Sequence, residues 1–198
     1  MARRYDPERR SRIIDAAIRV VGERGIAGLS HRSVAAEAGV PLGSTTYHFA
    51  SLDELLTAAL RRTNENFAAV MRGSTALADP DADLAAELAR LLGRYFAAGR
   101  GRAELEYELY LAALRRPALR PVAAEWTDAT AALLQPCTDP ATARALVALV
   151  DGICLQVLLT GGEYDEAYAR EMLGRVLGRG AEPRPDGETG SPGRGRSG

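Results

Sequence analysis

The sequence predicts an all-α fold in two helical regions, the first containing a helix-turn-helix. Three observations point there. Ala, Leu, Arg and Glu dominate and long β-branched runs are scarce. Apolar residues recur at three- and four-residue spacing along most of the chain. Helix stops and starts punctuate it regularly, with Asp79-Pro80 as the clearest break.

The elements follow in order. Asp6, Pro7 and Glu8 read as the N-cap, first helical position and dipole-favouring acid of a first helix. Ile13, Ile14, Ala17, Val20 and Val21 give that helix one apolar face, and Gly25 stops it. Ser30 caps a short second helix to about Ala38; Gly39, Val40 and Pro41 turn the chain; a third helix runs to about His48. Ser51, with Glu54 three residues on, opens a fourth helix through Leu55, Leu56, Ala59, Leu60, Phe67 and Val70 toward Gly73. Beyond the break, helices are expected near 82–99, 103–115, 118–135, 140–160 and 165–178. The resulting division is 1–50, 51–79 as connecting helix and linker, 80–179, and a Gly/Pro/Ser/Arg/Glu-rich tail at 180–198 expected to be disordered.

Composition limits the function classes. The chain has 198 residues, 46% hydrophobic and 26% charged, ordinary for one or two globular domains. No stretch is expected to reach membrane-spanning length, no signal peptide is read at the N-terminus, and no membrane partner is expected. Two cysteines, Cys137 and Cys154, make no disulfide framework, and two histidines anchor no typical zinc site, so no metal or cofactor is expected and the compartment reads as cytoplasmic. No nucleophile–base pair, phosphate-cradling Gly loop or metal cluster suggests an enzyme, and no catalytic residue is assigned. The net charge of −1 argues against DNA binding over the whole surface. Residues 1–50, however, hold eight arginines against five acids, net +3, and both histidines. A nucleic-acid face therefore belongs at the N-terminus.

Residues 30–49 fit a helix-turn-helix. Ala35 is small where two helices cross, and Gly39 supplies positive φ at the turn. Val34, Ala38 and Val40 form the small core between them. Gly43, Ser44, Thr45 and Thr46 would present short polar groups to a major groove, with Tyr47 and His48 placed for phosphate or base-edge contacts. Tyr47 could equally pack against the first helix. A plain αα-hairpin, or a helical adaptor that binds only protein, uses Ala and Gly in the same way.

The run Val34-Ala-Ala-Glu-Ala-Gly-Val-Pro-Leu-Gly-Ser-Thr-Thr-Tyr-His-Phe49, followed by Ser51 and Leu55, resembles the DNA-binding domain of the TetR/AcrR family of transcriptional regulators over roughly residues 8–60. The resemblance implies a DNA-binding domain followed by a ligand-sensing and dimerisation domain. Such a regulator, a repressor in the usual case, binds a palindromic double-stranded operator as a homodimer and leaves it when a small apolar or amphipathic effector binds. It places Ser30, Arg32, Leu42, Gly43, Ser44, Thr46, Tyr47 and His48 at DNA. Two departures stand out. Thr45 and Thr46 replace the apolar and aromatic residues common in the family, and Leu52 replaces a phosphate-holding lysine. Arg3, Arg4 and Arg10, with the N-terminal amides of the fourth helix, are the expected substitutes for backbone contacts.

Leu146 to Leu159 is apolar almost all round, which demands burial on two sides. With the helix at 165–178, the resemblance makes this a four-helix dimer seam, expected to use Leu146, Leu149, Val150, Ile153, Val157, Met172 and Val176. The helices before it carry clustered aromatics, most simply read as core. In a TetR-like sensor the same region forms a pocket, for which Leu91, Tyr95, Tyr107, Tyr110, Leu111, Trp126 and Asp151 are the candidates. Asp151 is an acid in an apolar helix; it either meets an arginine or amide at the seam or recognises a cationic or hydrogen-bonding ligand. The resemblance further implies that effector entry shifts the helix near 103–115, tilts the fourth helix and changes the spacing of the recognition helices.

Overall fold

The computed structural model describes residues 7–79 and 81–178. Arg3, Arg4 and the tail expected to be disordered lie outside the described residues, as does the proposed cap Asp6. Nine α-helices follow one another among the described residues: α1 (Arg9–Arg24), α2 (His31–Ala38), α3 (Leu42–His48), α4 (Leu52–Arg72), α5 (Leu84–Ala97), α6 (Arg100–Leu111), α7 (Arg120–Leu134), α8 (Pro140–Thr160) and α9 (Glu166–Val176).

The apolar stripe of α1 is buried as its spacing requires, with Ile13, Ala16, Ala17 and Val20 fully enclosed. Its start differs from expectation: Glu8, not Asp6, holds the N-cap position, and Pro7 stands before the helix. Gly25 ends α1 at φ +67°, where a side chain would be strained. Ser30 caps α2, its Oγ accepting from the Ser33 amide at 3.0 Å. At the far end, Gly39 donates to the Ala36 carbonyl (3.2 Å) and Val40 to that of Ala35 (3.0 Å). That pair is a Schellman turn, which needs a left-handed residue, and Gly39 supplies φ +63°. Ser51 caps α4 by accepting from the Glu54 amide (3.1 Å), while the Glu54 carboxylate reaches past Ser51 to the Ala50 amide (2.7 Å).

Two cores result, and they do not divide at residue 79. The first joins α1, α2 and the start of α4 around Phe49, and is completed by Leu109, Ala113, Leu119 and Val122 from the second half of the chain. The second gathers Met71 at the end of α4 with Leu84, Leu88, Leu134, Leu146 and Leu173. Helix α4 thus runs from one core into the other. Helix α6 lends Leu109, fully buried, to the first.

Helix α8 corrects the expectation that no segment reaches membrane-spanning length. It is 21 residues long with a mean hydropathy of 1.7 over its most apolar window, long and apolar enough to cross a bilayer by those criteria alone. In the fold, one of its faces packs on α7 and α9, with Ala143, Leu146 and Val147 at most 3% exposed.

Candidate DNA interface and effector cavity

Seven residues of α3 divide between two faces because successive side chains rotate by about 100°. Leu42, Gly43, Thr46 and Tyr47 point outward; Tyr47 is 84% exposed, so it does not pack on α1. Ser44 and Thr45 point inward at 4% and 0% exposure. Ser44 was expected at DNA and is instead turned into the helix-turn-helix core, since it stands two residues from both Leu42 and Thr46. The Thr45 hydroxyl donates to the Leu42 carbonyl of its own helix at 2.8 Å and reaches the His31 carbonyl of α2 at 3.4 Å. His48 is half-buried with its ring edge-on to Tyr47. From α2, Arg32 is exposed and Ser30, occupied as the cap, is partly buried.

One further cation comes from α1. Arg10 lies with its guanidinium carbon 5.0 Å from the centre of the Phe49 ring, which seats it beside the end of the recognition helix. Of the first amides of α4, that of Glu54 is taken by Ser51, and Asp53 forms a close ion pair with Arg116. Position 52 itself is Leu52, half-buried against the first core.

The second half of the chain encloses an apolar space with two lobes that share Phe67, Leu92, Tyr95, Thr130, Val147 and Val150 as walls. The smaller, about 50 Å³, brings together Tyr107, Tyr110, Trp126 and Asp151 from the expected set. Tyr95 lines both lobes and Leu91 the larger one, about 310 Å³. Leu111 does not belong: it sits in the last turn of α6, 37% exposed, and lines neither lobe. Sequence reasoning missed Phe67 and Glu106. Phe67 lies on α4 beyond the DNA-binding segment, with its ring centroid 4.6 Å from Trp126 and 6.0 Å from Tyr95. Only the continuation of α4 past residue 60 hinted that this helix enters the second core.

Two carboxylates face the smaller lobe. Asp151 accepts from the Tyr107 hydroxyl at 3.0 Å and forms no ion pair among the described residues. Burial pushes its carboxyl above the ordinary range against the opposing effect of that hydrogen bond. Cys154, one turn on, is 2% exposed, and burial raises its thiol to about 12, which keeps it protonated and inert. Glu106 accepts from Arg102 Nε at 2.9 Å with 14% of its side chain exposed. Burial, and then Glu106, push the Tyr95 hydroxyl upward.

The opposite face of α6 touches the DNA-binding half. Leu105 packs against Gly22 of α1, where an added methyl would meet Leu105 Cδ2 at 3.6 Å. Glu108 accepts from the Ile26 amide, just beyond α1, at 2.7 Å. A cavity wall and a DNA-domain contact are therefore two faces of one twelve-residue helix.

The expected seam residues also separate. Leu146 and Ile153 are 0% and 5% exposed inside the protomer, and Val150 lines the cavity. Val157 continues that inward stripe, its carbonyl accepting from Arg100 at 2.9 Å, and Leu149 is half-buried against the second core. The face left open on α8 is Ala145, Ala148, Gln156 and Leu159, the last 81% exposed, with open space around Gly152. On α9, Val176 is 37% exposed and Met172 half-buried. Leu146, Val150 and Ile153, expected at the seam, thus lie on the inward stripe of a helix that is apolar on both faces.

Residues 13–59 match the family model described as "Bacterial regulatory proteins, tetR family", and residues 79–179 the one described as "Tetracyclin repressor-like, C-terminal domain". A structure of the multidrug binding protein EbrR complexed with imidazole is 71% identical, covers 86% of this chain and 96% of that one, and superposes with a TM-score of 0.82. EbrR complexed with ethidium is similar at 70% identity, with 85% and 98% covered and a TM-score of 0.82. The HTH-type transcriptional regulator BetI of Burkholderia thailandensis is 28% identical over 83% of this chain and 89% of its own. The regulator PksA of Bacillus subtilis is 42% identical over 66 residues, so the chain spans only 32% of its length.

Proposed function

The chain belongs to the TetR family of bacterial transcriptional regulators, and on that premise we propose that it is a homodimeric repressor released from a palindromic operator by an apolar aromatic cation. Asp151 carries the proposal. An ionisable carboxylate on the wall of an aromatic cavity, with Tyr107 as its hydrogen-bond donor and no ion-pair partner among the described residues, is a recognition group suited to positive charge. Glu106 adds a second acid, and Phe67, Tyr95, Tyr107, Tyr110 and Trp126 offer ring faces and edges to a flat cation. EbrR, so similar in sequence, has been captured with ethidium, malachite green and proflavin.

Operator contacts fall to Leu42, Gly43, Thr46 and Tyr47 on the outward face of α3, flanked by Arg32 and His48. With net charge −1 and Leu52 in place of a basic residue, Arg10 and the N-terminal arm with Arg3 and Arg4 supply the phosphate contacts. The dimer forms across the open face of α8 and α9 and sets two recognition helices about 34 Å apart, one turn of DNA. Cation entry displaces α6; through Glu108 and Leu105 it moves α1 and spoils that spacing. The site of action is the cytoplasm, where a bacterial operator lies.

The test is titration of the full chain with ethidium in the absence of DNA, followed by release of labelled upstream DNA by tetraphenylphosphonium, a lipophilic cation that does not intercalate. Micromolar binding with loss of the DNA complex is expected. No binding of either cation refutes the effector assignment. Leu159→Arg on the open face of α8 is expected to give monomers in sedimentation, and an intact dimer would refute the seam.

A further inference from the structure

The larger lobe differs from the smaller one in charge. Its wall holds Phe67, Met71, Leu88, Leu91, Leu134 and Val147, and no acid. Its charged lining residues are Arg94 of α5 and Arg102 of α6, both exposed, so their stems border the chamber while the guanidinium groups reach water. The Arg94 side chain makes no hydrogen bond or salt bridge among the described residues; only the longer-range attraction of Glu87 acts on it. Arg102, 43% exposed, holds Glu106, which lines the smaller lobe. An apolar chamber of about 310 Å³ is at the small end of ligand pockets, about 300–1,000 Å³.

We propose that the larger lobe is a second effector subsite, for an apolar monocarboxylate whose body fills the chamber and whose acid group is held by Arg94 and Arg102. The inference rests on the effector-sensor reading above and extends it to a ligand of opposite charge. Guanidinium forks match carboxylates in geometry as well as charge. The two lobes are also linked through one ion pair. A cation in the smaller lobe attracts Glu106 and loosens it from Arg102, and the freed guanidinium turns to an anion in the larger lobe. Each ligand therefore strengthens the other, and the coupling is reciprocal.

Calorimetry on the full chain tests this with 2-naphthoate, its neutral counterpart 2-naphthalenemethanol, and ethidium. The subsite predicts that naphthoate binds and that Arg94→Gln combined with Arg102→Gln weakens it at least tenfold while leaving the alcohol unchanged. Saturating tetramethylammonium, a cation compact enough for the smaller lobe, raises naphthoate affinity severalfold in the natural sequence and not in Glu106→Gln. Thermal melts of each variant establish that it is folded. Naphthoate that binds the double variant as well as the natural sequence overturns the proposal, as does failure of naphthoate to bind while ethidium does. Failure of ethidium with naphthoate retained removes the cation reading and leaves the subsite; failure of both removes the sensor.

Discussion

Replacing Asp151 by asparagine removes one charge from the cavity and little else. Asn keeps an oxygen that accepts from the Tyr107 hydroxyl, now at 3.0 Å, and matches the carboxylate in size. A cation centred about 5 Å from the carboxylate, at an effective dielectric of about 20, gains about 3 kcal/mol from it. Delocalised charge on an aromatic ligand reduces this, so the expected loss of ethidium affinity in Asp151→Asn is about 10- to 100-fold at pH 8. The effect is pH-dependent. Because burial raises the Asp151 carboxyl, acid neutralises it earlier than an exposed carboxylate, and the affinities of natural and variant chains converge as pH falls through that raised value.

Stability moves in the opposite sense. A carboxyl whose folded pKa lies above its unfolded one binds protons more readily in the folded state. Its favourable share is therefore full below the unfolded value and is lost as pH rises through the folded one. Asp151→Asn lacks that loss, so without ligand it melts higher than the natural chain at pH 8 and alike at low pH. Fluorescence titration with ethidium, whose charge is fixed, and melts from pH 4 to pH 8 read both effects. Equal ethidium affinity at pH 8, or a gap that does not close in acid, would refute the assignment of Asp151 as the cation's partner.

Tyr47→Ala on the exposed face of α3 is expected to change folding stability by less than about 0.5 kcal/mol, since Tyr47 is 84% exposed, yet to weaken operator binding at least tenfold in a polarisation assay. Leu109→Ala removes a fully buried side chain from the first core and is expected to cost about 2–5 kcal/mol by denaturant unfolding, although the residue belongs to the helix that walls the cavity. Glu108→Ala deletes the carboxylate that accepts from the Ile26 amide; ethidium binding should persist while tetraphenylphosphonium releases DNA less effectively, and undiminished release would exclude this contact from the transmission.

Local chemistry made the helix-turn-helix legible. Ser30 and Ser51 as caps, and Gly39 as the left-handed turn, act within four or five residues, and the structure has them in those roles. Helix existence was equally legible from spacing, with limits off by a few residues where short 3₁₀ turns at Ala112–Leu114 and Pro117–Leu119 extend or precede α6 and α7. Orientation was not. Ser44 is polar and sits among solvent-facing neighbours, but a rotation of about 100° per residue carries it into the core. Leu146 and Leu159 are the same residue type on one apolar helix, 0% and 81% exposed, and composition cannot say which stripe meets α7.

The sequence by itself determined that this chain is helical, where its helix-turn-helix lies and which aromatic and acidic residues were available for a ligand, because caps, turns and periodicity depend on near neighbours along the chain. Only the tertiary structure decided that Phe67 and Glu106 join Asp151 around one cavity, and that α6 has Glu106 and Tyr107 on one face and Leu105 and Glu108 on the face meeting α1. Those relations depend on how helices distant in sequence rotate about their axes as they pack. That rotation is set by the fit of many side chains at once, and no short stretch of sequence carries it.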